Sequence, residues 1–121
     1  MFQVTENGPN RLDVEMSGQL DEASMKVALD ELESKSRNIE KGKMLCVITD
    51  FHLPTLGAIG VELSRLPSMF GLMRRFERAA VLTDKAWLKK VSEFEAALFP
   101  GLDIKAFNLD QRVDAETWLS R

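Results

Sequence analysis

An uninterrupted apolar run near the middle of the chain restricts its fold more than any other feature. The run is MLCVITDF, residues 44–51, and it lacks the polar alternation of a half-exposed strand. Such a run is typical of a strand that is covered on both faces or that lies centrally in a sheet. We therefore predict that this segment is the central strand of a sheet.

Two segments before this run predict a β-hairpin. Residues 2–6 and 11–18 alternate apolar and polar side chains, and the sequence NGPN between them is rich in turn-forming residues. A helix is predicted after the hairpin, because four apolar residues there have the spacing of one helical face. These residues are Met25, Ala28, Leu29 and Leu32, and Asp21 is placed to cap the helix.

Helical and strand-like segments continue to alternate after the central run. LGAIGVELSRL has helical character up to Pro67, whose ring and missing N–H should end or kink a helix, and SMFGLMRRFE continues that character. RAAVLTD and IKAFN predict two further strands, with a helix after Asp84 and a short terminal helix from Asp110. The order ββαβαβαβα predicts an α/β domain with helices packed on a mixed sheet.

Length and composition favour one domain over residues 1–121. Splitting the chain would leave two small cores, and 45% hydrophobic with 29% charged residues is ordinary for a globular protein. The net charge of −3 gives no global attraction for nucleic acid. The single cysteine, Cys46, excludes an internal disulfide, and neither a signal-peptide pattern nor a membrane-spanning apolar run occurs. We therefore expect a cytoplasmic protein without an integral membrane segment.

Several segments, taken in order, resemble the SpoIIAA-like family, a bacterial group related to the STAS domains of anti-sigma-factor antagonists and sulfate transporters. They are the hairpin ending in MSGQL, the strand ending in Asp50, RAAVLTDKAW at residues 78–87, IKAFN and the closing AETWL. The resemblance extends over nearly the whole chain. It implies a mixed sheet of about five strands with helices mainly on one face, and it implies self-association, so a homodimer is a further expectation.

The same resemblance points to the loop after the central strand. In the antagonists this loop carries an Asp-Ser-x-Gly motif, and a partner kinase phosphorylates its serine to switch partner binding. This chain has PTLG there, so Thr55 stands at the phosphoacceptor position and Gly57 at the glycine, whereas Pro54 replaces the acidic residue. Thr55 also precedes a helical segment, where a threonine caps the helix. We favour the cap, and phosphorylation of Thr55 stays the alternative.

Asp50 and His52 raise the question of catalysis, because they follow the C-terminal end of a strand, where α/β sheets place ligands. A base and its orienting group must converge, and a spacing of two residues in a loop does not ensure this. One histidine, one cysteine and no tyrosine provide no clear catalytic set, and no metal-ligand spacing occurs. We therefore expect a protein without enzymatic activity, metal or cofactor.

Charge is distributed unevenly along the chain. Residues 65–90 carry seven basic and two acidic residues, a net charge of +5, so the rest of the chain carries −8. Apolar residues are interleaved with these cations, and flexible methionines suit adaptable apolar pockets. A pocket for a small apolar or lipid-like anion would use Met69, Met73, Arg74 and Arg75. The alternative is a half-buried helix with its cations in solvent.

Three functional hypotheses follow from these features, of which an enzyme that uses Asp50 and His52 ranks last. The first is a non-enzymatic regulatory module that binds another protein through the loop containing Asp50, His52, Thr55 and Gly57 and through the adjoining helix. The second is a carrier or sensor that binds a small apolar or lipid-like anion near residues 65–76. The first hypothesis ranks highest, because the resemblance implies protein partners and the sequence provides no clear set of catalytic residues.

Overall fold

The computed structural model describes residues 2–52, 55–86, 88–90 and 101–121, without the side chains of Leu66 and Met69. Within these ranges five strands form one sheet in the order β1-β2-β3-β4-β5. The strands are β1 (Phe2–Glu6), β2 (Arg11–Gly18), β3 (Gly42–Phe51), β4 (Phe76–Leu82) and β5 (Asp103–Phe107). The β1–β2 pair is antiparallel and the other three pairs are parallel. The predicted α/β fold with a mixed sheet is therefore confirmed, and β3 is its central strand.

The described helices are α1 (Glu22–Ser36), α2 (Leu56–Ser64), α3 (Leu66–Met73) and α4 (Arg112–Leu119), with a 3₁₀ turn at Leu109–Gln111 before α4. Ala86 and residues 88–90 are also helical, and residues 87 and 91–98 of the helix predicted there lie outside the described residues. Pro67 lies in the first turn of α3, where its missing N–H leaves no helical bond unmade. The helical region therefore divides at Arg65, two residues before the proline.

The start of α1 follows the predicted capping chemistry. The Asp21 carboxylate accepts a hydrogen bond from the backbone N–H of Ser24 at 2.8 Å. This bond lowers the pKa of Asp21, because the ionised carboxylate is the better acceptor. The predicted apolar face of α1 is directed into the core, with Met25, Ala28 and Leu29 buried.

Helices α1, α2 and α3 contribute to the core on one face of the sheet. This core contains Leu12 and Val14 of β2, which alternate with the polar residues of the opposite face. Met44 and Ile48 of the central strand lie on the same face, and Leu72 of α3 packs into the same cluster. The arrangement confirms the expectation that the helices lie mainly on one face.

Helix α4 covers part of the other face. Ala115 and Leu119 are at most 1% exposed. They pack with Leu45 of β3 and with Ala80 and Leu82 of β4. Because β3 is buried from both sides, its sequence needs no alternation. The second cluster therefore explains why residues 44–51 form a continuous apolar run.

Trp118 closes the edge of this second cluster. Its ring lies 6.1 Å from the ring of Phe107, with an interplanar angle of 58°. The Arg78 guanidinium lies 5.4 Å from the Trp118 ring centroid and donates a hydrogen bond to the Trp118 carbonyl at 2.7 Å. These contacts join α4 to both β4 and β5.

Candidate functional site

The C-terminal end of β3 contains a β-bulge at Asp50. Thr49 pairs with Ser17 of β2 and Phe51 pairs with Gly18, so Asp50 is an extra residue on the β3 side. Asp50 has a φ of +46°, in the left-handed region that residues with a side chain rarely adopt. Aspartate tolerates this conformation better than most residues because its short polar side chain bonds locally. The bulge leaves Asp50 exposed while Phe51 enters the core.

His52 follows the bulge and is exposed as well. Its backbone N–H donates to the carbonyl of Gly18 at 2.9 Å, which continues the pairing of β3 with the end of β2. The described contacts contain no hydrogen bond between the His52 ring and the Asp50 carboxylate. The two residues are therefore neighbours at one sheet edge, but they do not form the oriented pair that general base catalysis requires.

Thr55 is the N-cap of α2, as its position in the sequence predicts. Its hydroxyl accepts a hydrogen bond from the backbone N–H of Ala58 at 3.2 Å, and its own N–H donates to the carbonyl of Leu20 at 3.0 Å. The side chain is half-buried. The hydroxyl oxygen thus already satisfies one of the free N–H groups at the helix start.

Gly57 brings the first turn of α2 close to the first turn of α1. A Cβ atom placed on Gly57 would lie 3.3 Å from the Cβ of Glu22 and 3.4 Å from its Oε2. Glu22 in turn lies 3.4 Å from the Lys26 ammonium, measured from Oε1 to Nζ. The start of α2 therefore has a carboxylate beside Gly57.

Arg65 holds the other end of α2 against α1. Its guanidinium forms ion pairs with Asp30, at 2.8 Å, and with Glu33, at 2.9 Å. The hydrogen bonds to Asp30 and then to Glu33 raise the pKa of Arg65. With Gly57 at one end and Arg65 at the other, α2 lies alongside α1 over its whole length.

Helix α2 is apolar on two opposite sides. Its inner side carries Ala58 and Val61, which are 0% and 8% exposed. Its outward face consists of Leu56, Ile59, Gly60 and Leu63, in which the three large side chains are 88%, 36% and 61% exposed. A helix with apolar residues all round is normally covered on all sides. The outward face of α2 is therefore the strongest candidate for a binding surface among the described residues.

The segment after α2 is mostly packed against the protein itself. Leu72 and Phe76 are buried in the core, and Met73 is half-buried against it, while Phe70 is 38% exposed. The side chain of Met69 lies outside the described residues. These positions agree with the alternative interpretation of this segment, a half-buried helix.

The predicted cations of this segment make separate contacts. Arg74 is exposed, and Arg75 donates a hydrogen bond from Nη1 to the carbonyl of Arg37 at 2.7 Å, at the end of α1. Arg65 is held by its two carboxylates. These contacts do not gather Met73, Arg74 and Arg75 around a common pocket.

Two cavities lie beside α4, on the opposite face of the sheet from α2. One, of about 460 Å³, has Arg11 and Lys43 in its wall, and the other, of about 400 Å³, has Lys105 and Trp118. The cations of the first are already paired, Arg11 with Glu116 at 2.5 Å and Lys43 with Glu77. Neither cavity contains a site residue that the sequence predicts.

The described ranges offer no group of three or more potential metal-ligating side chains. A separate finding concerns membranes: in the same part of the chain, none of the helices combines the length and apolarity needed to span a bilayer.

Sequence reasoning missed the outward face of α2. The sequence predicts a helical segment that contains Leu56, Ile59 and Leu63, but its pattern does not indicate which side is buried. The available signal was the low charge of α2, which holds Glu62 and no other charged residue in nine positions. In a chain with 29% charged residues, such a helix is unusual for a solvent-exposed surface.

Comparison with known proteins places these features in a family. Residues 11–120 match the family model described as SpoIIAA-like. No curated protein matches the chain significantly. Among solved structures, an uncharacterised protein of the DUF3478 family with a SpoIIAA-like fold from Shewanella loihica superposes with a TM-score of 0.74 and 20% sequence identity. That match covers 98% of this chain and 92% of the other.

Two further structures are of the anti-sigma factor antagonist SpoIIAA. Its unphosphorylated form gives a TM-score of 0.59 with 13% identity, covering 97% of this chain and 98% of that one. The phosphorylated form of the Bacillus cell fate determinant SpoIIAA gives 0.55 with 13% identity, covering 94% and 97%. At these identities the structural matches establish a shared fold.

Proposed function

Because the chain belongs to the SpoIIAA-like family, we propose that it is a non-enzymatic regulatory module of the bacterial cytoplasm that binds another protein through the start of α2. The binding surface extends from the loop after β3 to the outward face of α2. Two of the solved structures named above are of an anti-sigma factor antagonist, a protein named for its action on a regulatory protein.

The observation that carries this proposal is the exposure of Leu56. The side chain is 88% exposed, although it follows directly on Thr55 in the loop that the family resemblance associates with partner binding. Full burial of such a side chain contributes about 1.5–3 kcal/mol to association. A partner that covers Leu56 therefore gains a central apolar contact next to a capped helix end.

The contacts of Thr55 favour binding that does not depend on phosphorylation. Its hydroxyl is committed to the Ala58 N–H, and α2 contains no basic residue that could pair with a phosphate. In a phosphoswitch the added charge instead meets cations or free N–H groups. We therefore infer that the module is switched by the presence of its partner rather than by modification of Thr55.

The absence of catalysis is part of the same proposal. Asp50 and His52 are exposed and are not hydrogen bonded to each other in the described contacts. An active site needs a base within reach of an orienting group and a concave, water-excluding surface around them. Two exposed side chains without this arrangement suit contact with a macromolecule better than catalysis on a small substrate.

Affinity capture with matched variants tests the proposal. Wild-type chain, Leu56→Asp and Val113→Asp are immobilised and exposed to a lysate of the bacterium that encodes the chain. Both positions are exposed apolar residues in the first turn of a helix, where aspartate is favourable, so neither variant should unfold. We expect a protein retained by wild type and by Val113→Asp and lost with Leu56→Asp. Equal retention by all three, or repeated failure of wild type to retain any protein, contradicts the proposal.

A further inference from the structure

We propose that the open edge of β5 and the adjoining side of α4 bind an extended acidic peptide segment of another protein, which adds to the sheet as a further strand. The β5–α4 groove, as we call this site, is formed by Lys105 and Phe107 of β5 and by the side of α4 that carries Trp118. It lies on the opposite face of the sheet from α2. The inference therefore does not depend on the proposed function and concerns a second binding surface.

Strand β5 is an edge strand with backbone groups available for pairing. It pairs with β4 on one side, and within the described ranges no strand pairs with its other side. The carbonyl of Phe107 accepts a hydrogen bond from the N–H of Thr83, directly after β4, at 3.0 Å. Successive residues of a strand direct their backbone groups to opposite sides, so Ile104 and Ala106 direct theirs to the open edge. Such a row of donors and acceptors is a template for another strand.

The other edge of the sheet is partly closed. The Lys35 ammonium of α1 donates a hydrogen bond to the Val4 carbonyl of β1 at 2.6 Å. A lysine at an edge strand is one of the means by which proteins prevent unwanted pairing. Among the described residues no side chain makes such a bond to the carbonyl of Ile104 or Ala106. The two edges therefore differ, and β5 is the one that a further strand can reach.

A cavity of about 400 Å³ lies beside this edge, between β5 and α4. Lys105 pairs in register with Ala80, whose side chain packs under α4, so Lys105 lies on the α4 face of the sheet. The rings of Phe107 and Trp118 lie 6.1 Å apart on the same face, and Trp118 is half-buried, which leaves apolar surface in the cavity wall. An added strand directs every second side chain into this cavity. The groove thus combines backbone pairing with a side-chain pocket, the two elements of recognition by strand addition.

Charge in the cavity wall favours an acidic segment. The described wall contains two cations, Lys105 and Arg121, and one acid, Asp114, in a chain with a net charge of −3. The Lys105 ammonium lies 5.3 Å from the centroid of the Phe107 ring, and no described carboxylate forms an ion pair with Lys105 or Arg121. The cations of the other cavity beside α4, by contrast, are paired with carboxylates. The groove therefore fits a carboxylate opposite Lys105 and an apolar side chain two residues away, beside the aromatic pair.

Titration of the isotope-labelled chain with a designed peptide, followed by NMR, tests the site. The probe is Thr-Glu-Thr-Leu-Thr-Glu-Thr with blocked ends, which places the glutamates and the leucine on one face of a strand. We expect saturable shifts of the Ile104 and Ala106 amides and of the Trp118 indole N–H, with slower hydrogen exchange at the two amides. The same peptide with lysine in place of glutamate should bind at least tenfold more weakly. Of the two peptides methylated at every second amide nitrogen, the one whose methyl groups face β5 should lose binding.

Matched charge variants connect binding to the groove. Lys105→Glu reverses an exposed cation in the cavity wall, whereas Arg112→Glu makes the same charge change in the exposed first turn of α4, outside the wall. Lys105→Glu should weaken binding of the acidic peptide at least tenfold and strengthen binding of the lysine peptide, while Arg112→Glu should leave both nearly unchanged. Leu56→Asp should bind the acidic peptide as wild type does, because α2 lies on the other face of the sheet.

Several results overturn the inference. They are the absence of saturable shifts at millimolar peptide, equal binding of both methylated peptides and the unmethylated one, and equal effects of Lys105→Glu and Arg112→Glu. Loss of peptide binding in Leu56→Asp also overturns it, because the peptide then occupies α2. Shifts of the Ile104 and Ala106 amides that depend on the concentration of the chain alone would make a second copy the occupant and would equally exclude an acidic partner segment.

Discussion

The hydroxyl of Thr55 lies 3.2 Å from the backbone nitrogen of Ala58 and accepts its hydrogen bond, so Thr55 caps α2. Removing a threonine cap typically costs about 0.5–2 kcal/mol. Thr55→Ala should therefore lower the free energy of unfolding by about 1 kcal/mol, measured by urea denaturation, and Thr55→Ser should restore most of it. Retention of the captured partner by Thr55→Ala should equal that of wild type. A phosphorylated Thr55 peptide from the native protein would contradict this interpretation.

The left-handed backbone at Asp50 predicts which substitutions the bulge accepts. A residue with a branched Cβ at a φ of +46° costs roughly 1–2 kcal/mol more than one suited to this region. Asp50→Val should accordingly be destabilised by about that amount, whereas Asp50→Asn and Asp50→Gly should match or exceed wild type in thermal stability. Equal melting temperatures for the valine and glycine variants would show that the bulge is absent.

Glu62 predicts a pH dependence of stability. Burial raises the pKa of this carboxyl, so the folded chain binds its proton more tightly than the unfolded chain. The resulting stabilisation is complete below the unfolded pKa and is lost as the pH rises through the folded pKa. Glu62→Gln, which imitates the neutral form, should be more stable than wild type at neutral pH. Urea denaturation should show this difference closing below about pH 4. A difference that stays constant with pH would exclude titration of Glu62 as its cause.

Leu119 predicts the importance of α4 for stability. Its side chain is 1% exposed and packs against buried residues of β3 and β4. A buried leucine replaced by alanine loses about 2–5 kcal/mol, through lost burial and the cavity that remains. Leu119→Ala should fall in this range by chemical denaturation, while Val113→Ala on the exposed side of α4 should change stability by less than about 0.5 kcal/mol. Similar losses for both variants would mean that α4 does not pack as described.

Much of the fold could be predicted because its signals are local. The alternation of residues 2–6 and 11–18 and the turn between them define the hairpin, and the predicted bounds are those of β1 and β2. Asp21 and Pro67 act on the backbone next to them, so their effects on α1 and α3 can be inferred from the sequence. The sequence predicts that the last helix begins at Asp110, whereas α4 begins at Arg112. The chain first forms a 3₁₀ turn, in which the Gln111 side chain accepts a hydrogen bond from the Asn108 N–H.

The candidate site depended on contacts that sequence spacing does not specify. The bulge at Asp50 exists only through the register of β3 against Ser17 and Gly18, and it determines that Asp50 and His52 are both exposed. The ion pairs of Arg65 with Asp30 and Glu33 of α1 join residues more than 30 positions apart, which sequence spacing cannot indicate. Since α2 is apolar on both sides, its pattern could not indicate which side faces the core.

A photo-crosslinking amino acid at position 56 tests the central claim, that the outward face of α2 is a protein-binding surface. The same group at position 113, where the native side chain is 78% exposed compared with 88% at position 56, is the matched control. Irradiation of cells that produce each variant should yield protein adducts from position 56 and few from position 113. Adducts of twice the chain mass identify the second copy, and other masses identify a different partner. No adduct from position 56, or equal yields from the two positions, would contradict the account.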